Sequence, residues 1–277
     1  MDQNPKISVI IPTFNRGWVV REALDSVLEQ DYRNFELIVV DDGSTDDTGS
    51  ILSAYGQRLK VVTQPNRGVS AARNRGIAAA RGDLIALLDS DDYWLPQKLA
   101  VQVEFFRQHP AVEICQTEEI WIRNAARVNP GKRHRKPSGD IFEPSLELCL
   151  VSPSAVMMRP QVFHRYGLFD EELPACEDYD LWLRISCKIP VYLIDMPLIV
   201  KRGGHADQLS RQPSLDRYRI QSLANLLHRR SLNEDQRKAA VKILNHKCRI
   251  YANGCLKRGR ASEAHQYRTL AKTFGPG

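Results

Sequence analysis

The sequence predicts an α/β fold: a mixed, mostly parallel sheet flanked by helices, with a C-terminal helical tail. Three observations carry this. Short apolar runs alternate with helical periodicities from residue 7 to residue 88; each run stops abruptly at polar or acidic residues; and beyond Gly203-Gly204 only helical patterns remain. Strand–helix alternation of this kind lays strands side by side in parallel and covers both faces with helices.

The elements follow in order. Ile7 to Ile11 reads as a buried strand ended by Pro12, and Val19, Val20, Ala23, Leu24, Val27 and Leu28 then recur on one helical face. Leu37 to Val40 is a second strand, stopped by Asp41-Asp42-Gly43-Ser44; Ile51, Leu52 and Tyr55 mark a short helix that Ser44 or Asp46 can cap. Leu59 to Thr63 is a third strand, Ser70 to Ala80 an alanine-rich helix closed by Arg81-Gly82, and Leu84 to Leu88 a fourth strand. After Tyr93-Trp94-Leu95-Pro96 a long helix runs to about Gln108, and Glu113 to Leu150 is irregular, with short strands and a basic loop. Pro153 to Met158 reads as a strand, Phe163 to Tyr166 as a turn of helix, Asp178 to Cys187 as an amphipathic helix carrying Leu181, Trp182 and Ile185, and Val191 to Ile194 as a strand. In the tail, Asn233 and Gln236 form a capping box for a helix reaching Lys257 with Ile243, Leu244, Cys248 and Tyr251 inward; Ser262 to Phe274 is the last helix.

A length of 277 residues fits one large domain or a main domain with a small appendage, and the change of character after Gly204 places the boundary between 1–208 and 209–277. Six scattered cysteines, with neither CxxC pairing nor finger spacing, point to a reduced, cytoplasmic protein. The first residues lack the charged-then-apolar pattern of a signal peptide, and no window has the apolar length of a membrane span. A net charge of +6 suits acidic partners. Its densest basic run, Lys132-Arg133-His134-Arg135-Lys136, has no interleaved aromatics to stack bases, which argues against nucleic acid; it reads as a solvated loop or as a grip for an anionic substrate or membrane surface.

The chemistry gathers at strand ends. In an open parallel sheet ligands bind beyond the carboxyl ends of the strands, so Pro12-Thr13-Phe14-Asn15, Asp41-Asp42-Gly43-Ser44 and Asp89-Ser90-Asp91-Asp92 should converge on one rim. Aspartates crowded like the last group repel one another. A hard divalent cation removes that repulsion and commonly serves phosphate-bearing substrates, although Asp and Ser are also ordinary turn and cap residues. A carboxylate just past a strand, at Asp41 or Asp42, can accept from an imide N–H and so select a uracil-type base.

The order Val9-Ile10-Ile11-Pro12-Thr13-Phe14-Asn15-Arg16, Asp41-Asp42-Gly43-Ser44, Asn66-Arg67-Gly68, Ala72-Arg73-Asn74 and Asp89-Ser90-Asp91, followed by Glu177-Asp178-Tyr179-Asp180-Leu181-Trp182, resembles family 2 glycosyltransferases over about residues 6 to 205. The resemblance implies a GT-A fold with a donor half at about 1–110 and an acceptor half at about 111–208. It also implies an inverting, metal-dependent enzyme that moves a sugar from a nucleotide-sugar, a uridine diphosphate sugar above all. The implied acceptor is a saccharide or lipid-linked glycan of envelope or polysaccharide synthesis, met at the cytosolic membrane face by a cytoplasmic or peripheral protein. By the same resemblance Asp42, with Asp41, lies at the nucleobase; Pro12, Thr13 and Asn15 surround base and ribose; and Asp89 meets the ribose as the first acid of a DxD motif. Asp91 ligates Mg²⁺ or Mn²⁺ at the diphosphate, and His205 matches a late metal or phosphate contact, or is a loop residue. Gly68 and Arg73, at a loop running into a helix start, favour the phosphates or the base edge, unless Arg73 merely faces solvent. Asp92 is an outer ligand or a helix cap. Asp178, with Glu177 as the alternative, is the general base that inversion requires; both also suit a helix start. Trp182 is expected in the core. A catalytically idle nucleotide-sugar or glycan-binding relative is the competing reading, and the intact acids weigh against it. A nucleotidyltransferase would usually carry a glycine- and lysine-rich phosphate loop after the first strand, where this chain has Pro12-Thr13-Phe14-Asn15.

Overall fold

A computed structural model of the chain describes residues 4–124, 126–129, 131–205, 208, 214–229 and 231–275. Its parallel layer consists of β1 (Ile7–Thr13), β2 (Phe35–Asp41), β3 (Lys60–Thr63) and β4 (Leu84–Leu87), in the order β3-β2-β1-β4. Their crossovers carry α1 (Val20–Leu28), α2 (Thr48–Ser53) and α3 (Val69–Ala79). Chain direction away from β1 reverses between β2 and β4, and a crevice opens beyond the strand ends there. The sheet continues through β5 (Tyr93–Trp94), α4 (Lys98–Gln108), β6 (Ile114–Arg123), β7 (Ala126–Val128), α5 (Phe142–Ser145), β8 (Val156–Met158), α6 (Gln161–Tyr166), α7 (Glu177–Ser186) and β9 (Tyr192–Gly203). The strand β8 runs antiparallel to both β4 and β6, and β9 pairs parallel to β6 and antiparallel to β5.

Because side chains alternate along a strand, the two faces of β1 and β2 belong to different cores. Val9, Ile11, Leu37 and Val39 pack with α1, α2 and α4, while Ile10, Ile38 and Val40 face the α3 side. A Cβ added at Gly76 of α3 would lie 2.3 Å from Ile10 Cγ2, so only glycine lets the helix settle this closely on the strand. Beyond the sheet, α8 (Leu215–His228), α9 (Glu234–Lys257) and α10 (Ala261–Thr273) enclose a third core with Phe142, Leu146, Tyr179 and Leu183 of α5 and α7. The expected capping box is present, with Gln236 N–H donating to Asn233 Oδ1 at 2.8 Å.

Three expectations need correction. The stretch from Pro153 starts as a 3-10 turn, Pro153–Ala155, and becomes strand only at Val156; proline at the first turn position presets the φ that a turn needs. The irregular region after Glu113 contains a ten-residue strand, β6, and β9 runs twelve residues rather than stopping at Ile194. The exposed Asp195-Met196 and Pro197 mask that continuation in the sequence. Register shifts about Glu118 absorb the irregularity, so pairing resumes at Glu119↔Ile199.

Candidate active site

The crevice is assembled from loop ends. Asp41 ends β2 and Asp42 follows it, and both are nearly fully buried. Gly43 then turns the chain at a φ of 80°, and a Cβ there would stand 2.9 Å from Asn66 N. Asp41 Oδ1 accepts from Ser44 N–H at 2.9 Å. Asp42 binds its own protein instead of presenting a bare carboxylate: Oδ1 accepts from Gln64 Nε2 at 2.7 Å and Arg67 N–H at 2.9 Å, and Oδ2 from Gly68 N–H at 2.8 Å. Asp42, expected at the nucleobase, braces the 64–68 segment through these contacts. Asn15, at a φ of 52°, closes the same corner, its N–H donating to Ser44 Oγ and its Oδ1 accepting from Thr45 N–H. Pro12 and Thr13 are buried in the end of β1 and Gly68 is exposed at the start of α3. Phe14 and Trp18 stand 41% and 61% exposed on the β1–α1 loop, two large apolar groups left uncovered at the crevice mouth.

At the end of β4 the acids are held individually. Asp89 N–H donates to Ser154 Oγ at 3.1 Å, and the Ser154 hydroxyl donates to Asp92 Oδ2 at 2.7 Å. Arg202 N–H donates to Asp92 Oδ1 at 2.9 Å and its Nε to the Asp91 carbonyl at 2.9 Å. Asp92 is therefore an anchor between the 3-10 turn and β9; burial, with Asp91 beside it, pushes its carboxyl well above the usual range. His205 Nε2 lies 2.8 Å from Asp91 Oδ2, with the Trp18 ring edge-on at 5.4 Å. Burial and the neighbouring Asp89 raise the Asp91 carboxyl. That crowding of charge is what a cation would relieve.

Arg73 is the largest departure from expectation. It is buried, and its guanidinium spans the crevice floor, NH2 2.7 Å from Asp89 Oδ1 and NH1 2.6 Å from Glu177 Oε1. Burial disfavours its charge, but Asp89 and Glu177 outweigh that and hold it firmly protonated. Its fork ties the donor-side acid to the acid pair of α7, which corrects the alternative that Arg73 merely faces solvent. Asn74 next to it pins the loop before α7, donating to Phe169 O and Glu171 Oε1 and accepting from Phe169 N–H.

The α7 helix opens at Cys176, whose φ of 62° is left-handed for a residue with a side chain. That bend delivers Glu177 and Asp178 into the first turn, where unpaired N–H groups favour carboxylates. Glu177 is buried, and burial together with Asp178 raises its carboxyl despite Arg73. Asp178 is half-buried; Oδ1 accepts from Tyr179 N–H at 2.7 Å, and the Cys149 thiol lies 3.5 Å from Oδ2. Of the two acids, Glu177 is held in an ion pair with Arg73, and Asp178 accepts from its neighbour's backbone. Trp182 lies in the core against Phe169 at 6.2 Å, as expected.

The sequence reading missed Ser154, Lys201 and Arg202. None lies in a run of acids or glycines, and only the extended β9 and the 3-10 turn bring them to the crevice; the pair Lys201-Arg202 before Gly203-Gly204-His205 was the one available signal. The basic loop is also not uniform. Lys132, Arg133 and Arg135 are exposed, whereas Lys136 is buried, 2.9 Å from Glu119 Oε2 and donating to Thr117 O at 3.0 Å. Placing it with the solvated or substrate-gripping cations was therefore incorrect: it anchors the loop from within.

A parallel sheet with acids at its strand ends, faced by an acid pair on a helix of the antiparallel half, is the architecture of the GT-A glycosyltransferases. The chain belongs to that class, in glycosyl transferase family 2, whose sequence profile matches residues 8–167. It is 33% identical over 216 residues to an uncharacterized glycosyltransferase of Rickettsia prowazekii, covering 75% of this chain and 68% of that one. To the putative glycosyltransferase EpsE of Bacillus subtilis it is 32% identical over 196 residues, 66% of this chain and 68% of that protein. Some longer Rickettsia glycosyltransferases match as well, and the chain spans about a third of their length, 36% in Rickettsia felis and 32% in Rickettsia conorii. Among solved structures, S. aureus TarS in complex with UDP-GlcNAc superimposes with a TM-score of 0.77 at 22% identity, over 97% of this chain and 80% of that one, a likeness of fold. No helix among the described residues is long and apolar enough to cross a membrane.

Proposed function

We propose that this glycosyltransferase moves a sugar, with inversion, from a uridine diphosphate sugar to a saccharide or lipid-linked glycan acceptor. The observation that carries the reading is the Arg73 tie: one buried guanidinium holds Asp89 and Glu177 together, so the donor-side acid and the acid pair of α7 face one reaction space. Fold likeness to a UDP-GlcNAc complex supports the donor class. Asp178 takes the acceptor's hydroxyl proton as that oxygen attacks the anomeric carbon, and the electron pair of the breaking bond leaves on the diphosphate. Arg73 and Tyr179 N–H orient the acids, and the buried floor of Trp182 and Phe169 keeps water from the far side.

Asp91 and His205 fit a divalent cation. Their oxygen and nitrogen stand 2.8 Å apart in a corner crowded with negative charge; the carboxylate suits Mg²⁺ or Mn²⁺, and the imidazole nitrogen favours Mn²⁺ of the two. No group of three or more His, Cys, Asp or Glu able to hold a metal occurs among the described residues, and in this reading Asp91 and His205 would be the protein ligands. When bound, the ion supplies Lewis-acid neutralisation of the diphosphate. Exposed Lys132, Arg133 and Arg135 support a peripheral contact with an anionic acceptor or the membrane face.

The test is UDP release from a panel of UDP-sugars, with and without Mg²⁺ or Mn²⁺, in the wild type and in Asp178→Asn. Asp178→Asn should leave donor affinity unchanged and slow transfer by about 10²–10⁴-fold, the contribution of a positioned base. Unaltered transfer in this variant would remove Asp178 from the mechanism, and no release from any donor would remove the donor class.

A further inference from the structure

Strand β9 carries Lys201 opposite Trp121 of β6, and the amine sits 6.0 Å from the Trp121 ring centre. Four carboxylates from three parts of the chain surround it electrostatically: Glu119 of β6, Asp89 and Asp92 at the end of β4, and Asp178 of α7. Burial disfavours its charge, and these four acids outweigh the burial and hold it protonated. Yet none of them makes a direct ion pair with it. Its one hydrogen bond among the described residues is a long one, 3.4 Å to Ser152 Oγ.

This is not how the structural cations of the same crevice behave. Arg73 meets two carboxylates at 2.6 and 2.7 Å, and Lys136 meets Glu119 at 2.9 Å and a backbone carbonyl at 3.0 Å. An ammonium has three donors, and Lys201 is only partly buried, so two of them stand open to solvent or to an arriving acceptor. Asp89 and Asp92 on the donor side and Asp178 on α7 all act on Lys201, so its ammonium stands within electrostatic reach of both ends of the crevice. An incoming oxygen that gains negative charge during the reaction is the acceptor this position suits.

We propose that Lys201 is a catalytic residue of the transfer, its ammonium donating to the diphosphate oxygens of the departing nucleotide. As the bond from the anomeric carbon to the phosphate oxygen breaks, its electron pair stays on that oxygen. The diphosphate leaves with one more negative charge than it carried in the sugar ester. The acceptor oxygen forms the new bond and its proton passes to Asp178, so charge and protons balance. Donors aimed where charge develops act most strongly on the transition state and on the product. The inference rests on the nucleotide-sugar reading above and on no bound metal.

The distinguishing measurement is binding, by calorimetry, of UDP and of UDP-GlcNAc to the full chain, wild type against Lys201→Met and Lys201→Arg. Lys201→Met should weaken UDP roughly tenfold more than UDP-GlcNAc, because only UDP carries the additional charge, and should lower kcat by about 10²–10³-fold, the usual loss of one such donor. Lys201→Arg, which keeps the charge, should restore most of the preference for UDP. Equal weakening of both ligands would overturn the proposal. So would unchanged binding with a displaced acidic limb of the pH–rate profile, since that pattern belongs to a residue that only positions Asp178. If thermal melting shows Lys201→Met to be unfolded, Lys201→Gln takes its place: selective loss of UDP supports the proposal, and equal loss of both ligands overturns it. Wild-type protein that binds neither ligand would overturn the uridine diphosphate reading on which the inference rests.

Discussion

At the scale of single residues, the crevice is governed by which carboxylates are already spoken for. Asp42, Asp92 and Glu177 are each held by several protein donors or an ion pair, and the proposed roles of metal ligand and base fall to Asp91 beside His205 and Asp178 at the start of α7. Arg73 makes that division possible, and it is 3% exposed, so its loss cannot be repaired by water. Arg73→Met should destabilise the fold by about 3–5 kcal/mol, because a broken buried pair leaves charge without a partner. Adding Glu177→Gln should recover part of the loss, since one stranded carboxylate is then neutral. Urea unfolding midpoints of the single and double variants give the coupling; strictly additive effects would mean that the Arg73–Glu177 contact contributes nothing. Much of this could not be read in sequence. Spacing marked Asp41, Asp42, Asp89, Asp91, Glu177 and Asp178 as acids past strands or at a helix start, but the partner of each is a tertiary matter. An arginine on an alanine-rich helix looks the same whether it meets phosphate, solvent or two buried carboxylates.

At the scale of elements, periodicity was informative wherever one face is buried over several turns or a whole strand. β1, β2, β4, α1 and α7 lie close to where their apolar patterns place them, and α9 begins at its capping box. Asn233→Ala should cost about 1 kcal/mol, the usual contribution of an N-cap side chain. It should lower the melting temperature and leave transfer unchanged, because α9 touches the site only through the core it shares with α7. A melting temperature equal to wild type would show that Gln236, which also donates to Cys187 O at 3.0 Å, holds the helix start without the cap. The elements that escaped are those whose identity comes from their neighbours. β9 crosses Pro197 and an exposed stretch because β6 supplies a long partner with a bulge, and the Pro153 turn exists to bring Ser154 to Asp92.

At the scale of the whole molecule, the acidic crevice and the core behind it are joined through a buried lysine. Lys98 is fully buried in α4, 3.9 Å over the ring of Trp94 and 2.6 Å from Gln102 Oε1, and the Trp94 indole N–H donates to Ser154 O at 2.8 Å. Burial pushes the Lys98 amine down from 10.5 to about 7. In the unfolded chain it keeps its proton to about pH 10, so between these limits the unfolded state binds more protons and stability must rise with pH. Linkage gives a gain of about 2 kcal/mol between pH 6.5 and 8.5 from this group alone. The rise cannot continue. Burial pushes the thiols of Cys115 and Cys176 up from 9.0 to about 12 and that of Cys248 to about 11. Above pH 9 the unfolded chain loses those protons while the folded one keeps them, which reverses the slope. Burial also raises the Cys149 and Cys187 thiols and lowers the Lys136 and Lys247 amines, so five thiols stand against three amines and the downward limb is the steeper. Stability should therefore peak between about pH 8 and 9. Lys98→Met removes the rising limb and keeps the falling one, so chemical-denaturation curves taken from pH 6.5 to 9.5 should show the variant gaining on wild type at the acid end. A wild-type rise that survives in Lys98→Met would mean that another group is its source.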